Sequence, residues 1–221
     1  MEHYDVLIAT PGSKLEAGYV KSLVLTLAEC ANRGISFRFL NGQSSLVHHA
    51  RELTISGGDG NTLHPDDKGP MGGLVTYNKI IWIDSDIEWT PEQFFKLYDS
   101  EFEVVSGAYL LADGQTTTVH AWGTPGGIPK NQILGMTEPV KVQSIGFGFV
   151  AMRLGVFERM SRPWFAHMIQ GVQNSRGETL PDALGEDISW CIRAYQAGID
   201  IMFDPEVLVT HIKTTKITWG N

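Results

Sequence analysis

The chain has 221 residues, with 25 acidic against 17 basic side chains and a formal charge of -8, and it is 43% hydrophobic. That length suits one large domain or two small ones, and the apolar content is ample for a packed core. The negative balance argues against a nucleic-acid backbone as main partner, the lack of an 18-residue apolar run argues against a transmembrane helix, and Glu2 and Asp5 ahead of the short run Val6–Ala9 do not read as a secretory leader.

In chain order, Asp5–Thr10 (D-V-L-I-A-T) reads as a buried strand, broken by Pro11-Gly12-Ser13. Ser13 and Glu16 have capping-box spacing, and a helix is expected from there to about Arg33, with Val20, Leu23, Val24, Leu27 and Ala31 inward and Gly34 as its stop. Cys30 in this helix and the distant Cys191 are isolated, and both read as buried, reduced thiols of a cytoplasmic protein. A strand over Ile35–Leu40 completes a βαβ unit with parallel strands. Ser44–Ile55 reads as a helix with Leu46, Ala50 and Leu53 on its apolar face and Arg51 off that stripe; Gly57–Gly73 reads as loop.

The next stretch, Lys79–Asp86 (K-I-I-W-I-D-S-D), is the one the chain is organised around. Its unbroken β-branched and aromatic run predicts a strand buried on both faces, ending at Asp84. Asp84 and Asp86 then lie at the carboxyl edge of a sheet, where open α/β folds place their ligands. Two adjacent carboxylates repel unless a cation or proton intervenes, and a divalent metal with oxygen ligands answers that need. Thr90-Pro91-Glu92-Gln93 is a strong helix start, followed by Phe94, Phe95 and Leu97, and Val104–Leu111 is a further strand. Strands and helices alternate throughout this half, which predicts an α/β fold with a mostly parallel central sheet flanked by helices.

The second half changes character. Thr116–Trp122 alternates like a strand of a small antiparallel sheet, Gly123–Gly135 is a Gly/Pro-rich connection, and G-F-G-F at Gly146–Phe149 leads into a strand. The polar, aperiodic run Gln173–Gly185 is expected to be a lid. Gly185-Glu186-Asp187 opens a helix with Ile188, Cys191, Ile192 and Tyr195 on one face and Gly198 as its stop; short strands over Ile199–Phe203 and Val207–Thr210 lead to His211.

Four features now stand together: D-S-D after a buried strand, G-F-G-F before a later one, E-D opening a helix, and a lone histidine closing a strand. Their order over Tyr4–His211 resembles the GT-A class of glycosyltransferases, closest to inverting members, with the tail from Gly185 to His211 the most specific part. The resemblance implies a single Rossmann-like GT-A domain over 1–221, with a nucleotide-binding half at 1–111 and an acceptor and catalytic half at 112–221. It implies a hexosyltransferase-type enzyme moving a sugar from a nucleoside-diphosphate sugar, a UDP-sugar or else a GDP-sugar, to a glycan or other hydroxyl acceptor with inversion.

By the same resemblance, Asp84, Asp86 and His211 hold Mn²⁺ or Mg²⁺, the histidine nitrogen tilting the choice to Mn²⁺. Asp187 is the catalytic base, kept charged by the helix dipole, with Glu186 beside it on acceptor hydroxyls. Thr10, Pro11, Arg51, Asp84, Ser85 and Lys213 fall on the donor side, and Gly146 and Gly148 on the acceptor side. Trp164 is either a platform for a sugar face or a core residue. Three rival readings stay open: a retaining transferase on the same fold, a sugar nucleotidyltransferase, and an inactive carbohydrate-binding module.

Overall fold

The structure is a computed structural model that describes residues 1–56, 69–124, 126–173 and 175–213. Its elements run β1 (Glu2–Pro11), α1 (Ala17–Arg33), β2 (Phe37–Gly42), α2 (Val47–Ile55), β3 (Val75–Ile83), β4 (Ile87–Glu88), α3 (Pro91–Asp99) and β5 (Val104–Ala108). There follow α4 (Lys130–Ile133), β6 (Val140–Lys141), β7 (Phe149–Arg153), β8 (Ile169–Gln173), β9 (Thr179–Ala183), α5 (Glu186–Gln196), β10 (Ile201–Leu208) and β11 (Thr210–His211). Positions 57–68 of the expected Gly57–Gly73 loop lie outside the described residues.

Seven strands form one sheet in the order β2-β1-β3-β7-β5-β10-β6. β1 pairs parallel with β2 and β3, and β5 with β10; β7 runs antiparallel between β3 and β5, and β6 antiparallel at the edge. The expected α/β class with a mostly parallel sheet is therefore present, and β4–β11 and β8–β9 add two small antiparallel pairs. The alternation of side chains along a strand divides the core into two layers. Leu7, Ala9, Ile80 and Trp82 join one buried cluster with Trp190, Cys191 and Ala194 of α5. Val6, Ile8, Ile81 and Ile83 join the other, with Tyr19 and Cys30 of α1 and Phe94, Phe95 and Leu97 of α3. The unbroken apolar runs of β1 and β3 follow from this burial on both faces.

The start of α3 is built as its residues dictate. Thr90 accepts from the Gln93 N–H, the Gln93 side chain accepts from the Thr90 N–H at 2.9 Å, and Pro91 occupies the first turn. Both cysteines are buried free thiols.

α1, α2 and Thr116–Trp122 depart from what was expected of them. α1 starts at Ala17 with no side-chain cap, and it buries Tyr19, Ser22, Thr26 and Cys30, while Val20 and Val24 are exposed. The polar residues go inside because the Trp89 backbone N–H donates to Ser22 Oγ at 3.0 Å and its indole N–H to Thr26 Oγ1 at 2.9 Å. α2 buries Ala50, Arg51, Glu52, Thr54 and Ile55, and Leu46 stands exposed ahead of it. Glu52 is held inside because its Oε1 accepts the Phe165 N–H at 2.7 Å. Thr116–Trp122 makes only isolated bridges, Leu110 to Thr117, Thr116 to Pro129 and His120 to Ser144, and no strand.

Candidate active site

β3 ends at Ile83, so the D-S-D turn begins at the carboxyl edge of the sheet. The Asp84 N–H donates to Gly148 O at 3.0 Å, which ties the turn to the G-F-G segment entering β7. β4 follows at once and pairs with β11, setting His211 opposite Ile87. That register brings two residues 125 positions apart into contact: His211 Nε2 lies 3.1 Å from Asp86 Oδ2. The other ring nitrogen, Nδ1, is 2.9 Å from Leu110 O. A carbonyl oxygen is only an acceptor, so Nδ1 carries the hydrogen there. Lys213 Nζ also donates to Asp86 Oδ2, at 3.2 Å. Burial pushes the Asp86 carboxyl up, but the bonds from His211 and Lys213 outweigh it and hold the group below its ordinary range. The hydrogen bond to Asp86 raises the His211 pKa against the effect of burial.

Arg51 occupies the centre, 3% exposed. Its Nη1 and Nη2 donate to Asp84 Oδ1 and Oδ2 at 3.0 and 3.3 Å, and its Nε to Glu186 Oε1 at 3.3 Å. The guanidinium stands 5.3 Å from the ring centre of Phe147 and 5.8 Å from that of Trp82. Burial alone would lower its pKa, but Asp84 and then Glu186 outweigh that and hold it above the ordinary value. With Asp84 turned to Arg51, the expected set of Asp84, Asp86 and His211 does not close. Among the described residues no group of three or more His, Cys, Asp or Glu side chains is placed to hold a metal ion. The pair left over still suits one. A neutral His211 with its hydrogen on Nδ1 presents a lone pair at Nε2 to the Asp86 carboxylate, an arrangement that calls for a proton or a cation between them.

Gly185 caps α5, so Glu186 and Asp187 fill its first turn. Glu186 is spent on Arg51, whereas Asp187 Oδ1 accepts the adjacent Ile188 N–H, at 2.7 Å. Burial, and then the charge of Glu186, raise the Asp187 pKa. The helix dipole was expected to favour the charged form, and desolvation is the larger effect here.

Other expected site residues are placed as follows. Pro11, Ser85, Asp84 and Asp86 line a cavity of about 440 Å³ together with Lys14 and Glu16. Thr10 does not reach it: the residue is wholly buried, its hydroxyl 2.5 Å from the Tyr19 hydroxyl. Trp164 is 2% exposed, and its indole N–H donates to Phe157 O at 3.0 Å. It is a core residue and offers no face to a sugar. Gly146 and Gly148 face a tyrosine instead of open space. A Cβ at 146 would stand 2.5 Å from the Tyr109 hydroxyl, and one at 148 would stand 2.6 Å from its ring. Gly148→Ala is accordingly expected to overpack the core and cost about 1–3 kcal/mol, measured as a lowered denaturant midpoint; an unchanged midpoint would show that the tyrosine has room to move. The expected Gln173–Gly185 lid contributes β9 of the β8–β9 hairpin, and both strands are exposed along their length.

No family model and no curated protein matches the chain. Among solved structures, A197 from STIV shares 14% identity over the whole of both chains with a TM-score of 0.48. GalNAc-T7, solved with UDP, GalNAc and Mn2+, shares 13% identity over the whole of this chain and 44% of its own, with a TM-score of 0.48. The inositol-1-phosphate CTP transferase from T. maritima shares 13% identity over 95% of this chain and 89% of its own, with a TM-score of 0.41. Likeness at this level assigns no family. Among the described residues, no helix is long and apolar enough to cross a membrane.

Chemically, the sheet edge gathers two distinct carboxylate environments. Asp86 is partly open and in contact with two cationic or cation-accepting partners. Asp187 is less solvated, and burial raises its pKa. Arg51 ties the two sides together through Asp84 and Glu186.

Proposed function

We propose that this chain is a metal-dependent glycosyltransferase that moves a sugar from a nucleoside-diphosphate donor to an acceptor hydroxyl with inversion. The observation that carries this reading is the separation of the two carboxylate environments at one sheet edge, with Asp86 and His211 on one side and Asp187 on the other. The cavity beside Pro11, Ser85 and Asp86 takes the nucleotide, a UDP-sugar or else a GDP-sugar, and residues 112–221 supply the acceptor side.

Asp86 and His211 would hold Mn²⁺ or Mg²⁺, an ion that commonly keeps one or two protein ligands and fills its remaining positions with phosphate oxygens and water. When bound, the cation supplies positive charge to the leaving diphosphate. Lys213, on the same carboxylate, adds to that charge. Asp187 takes the proton of the acceptor hydroxyl as that oxygen bonds to the anomeric carbon. The sugar–phosphate bond breaks on the opposite face, and its electron pair leaves with the diphosphate. Asp84 serves through Arg51 by fixing the turn that carries Asp86, and Glu186 is a partner of Arg51.

Calorimetric titration with UDP and GDP tests the cation. Affinity for the preferred nucleotide is expected to fall at least about tenfold in EDTA, recover with Mn²⁺, and fall similarly in Asp86→Asn. Equal affinity with and without the ion removes the metal from this reading.

A further inference from the structure

We propose that Tyr109 is a substrate-binding residue whose phenolic O–H donates a hydrogen bond to an oxygen of the sugar in transit, beside the D-S-D turn. The inference rests on the glycosyl-transfer reading above. Tyr109 follows β5 directly and is 8% exposed. Its hydroxyl oxygen accepts the Gly148 N–H at 3.2 Å. A phenol can also donate, and among the described residues no acceptor is recorded for that hydrogen. A buried hydroxyl with an unspent donor is costly unless something meets it.

The surroundings are built for this hydroxyl. Gly146 and Gly148 leave it the space that any Cβ would fill. The same Cβ at Gly146 would meet Thr118, whose buried Oγ1 has no hydrogen-bond partner among the described residues. Gly148, whose N–H the hydroxyl accepts, takes the Asp84 N–H on its own carbonyl at 3.0 Å, which sets the phenol one residue's backbone away from the D-S-D turn. Its ring packs edge-on against His211, with centres 5.0 Å apart. Burial, and then Asp84, push the phenol well above its ordinary pKa, so it remains a neutral donor throughout the working pH range. Beside the D-S-D turn, a neutral donor suits a sugar hydroxyl or ring oxygen. The diphosphate is met on the Asp86 side, where Lys213 and His211 stand.

Tyr109→Phe removes only the oxygen. The probes are UDP and GDP, and a panel of UDP-glucose, UDP-galactose, UDP-GlcNAc, UDP-GalNAc and GDP-mannose, each titrated calorimetrically with Mn²⁺ into wild type and variant. The expected result is unchanged affinity for the bare nucleotide, a loss of about tenfold for the nucleotide sugar that wild type prefers, and a melting temperature near that of wild type. If the hydroxyl only anchors Gly148, bare nucleotide and nucleotide sugar weaken alike, which overturns the proposal. So does equal affinity of variant and wild type for every nucleotide sugar, and in that case the transferase reading survives. If wild type binds no member of the panel, the transferase reading falls and this inference falls with it.

Discussion

Asp187→Asn is expected to lower turnover by about two to four orders of magnitude, the usual worth of a positioned base, while donor affinity stays near that of wild type. The substitution keeps the shape of the side chain and the oxygen that accepts the Ile188 N–H. It removes the basicity. Two further signs separate a base from a helix cap. Asp187 has its pKa raised by burial and then by Glu186. The ionised form is the active one, so turnover falls as pH drops through that raised value, and the acid limb of the rate profile lies above the ordinary carboxylate range. Glu186→Gln removes the like charge and moves the limb to lower pH. The linkage to stability follows from the same shift. A carboxyl whose folded pKa is raised contributes stability below its unfolded pKa and loses it as pH rises through the folded one. Asparagine never ionises, so at pH 7 the variant is expected to melt at or above wild type while its turnover collapses. Near-normal turnover, or a product that keeps the donor's anomeric configuration by proton NMR, would show that Asp187 only caps α5.

The parts of the fold legible in the sequence are those whose causes are local. Ile80–Ile83 reads as a two-sided strand because each residue is apolar, and both core layers take their share of it. The Thr90 capping box and the opening of α5 are visible because donor and acceptor lie three residues apart or less. What failed depends on partners far along the chain. The inward face of α1 is set by Trp89, 63 and 67 residues from the hydroxyls it bonds. The burial of Arg51 is set by Asp84 and Glu186, 33 and 135 residues away, so a helical-period count of apolar residues placed it outside. Trp164 carried two meanings, and only its packing and its bonds to Phe157 and Met160 carbonyls separate them. Tyr109 had no motif of its own. Its one trace was the pair of glycines at 146 and 148, which signals a close approach without saying by what.

Arg51→Met is expected to destabilise the protein by about 3 kcal/mol, because it removes the cation and leaves two carboxylates behind. The estimate sits at the low end for a broken buried pair, since the Asp84 side chain is 26% exposed and water partly screens it, whereas that of Glu186 is 12% exposed. Arg51→Lys is not expected to rescue it, because one ammonium cannot supply two parallel bonds to Asp84 and a third, divergent bond to Glu186. The decisive measurement is a double-mutant cycle on denaturant midpoints. Arg51→Met combined with Glu186→Gln is expected to cost less than the sum of the single variants, because the second change removes a charge that the first had stranded. Simple additivity would mean that Arg51 does not join the two sides of the cleft. A small loss for Arg51→Met alone would mean that water already solvates both acids, and the central place given to this arginine would have to be withdrawn.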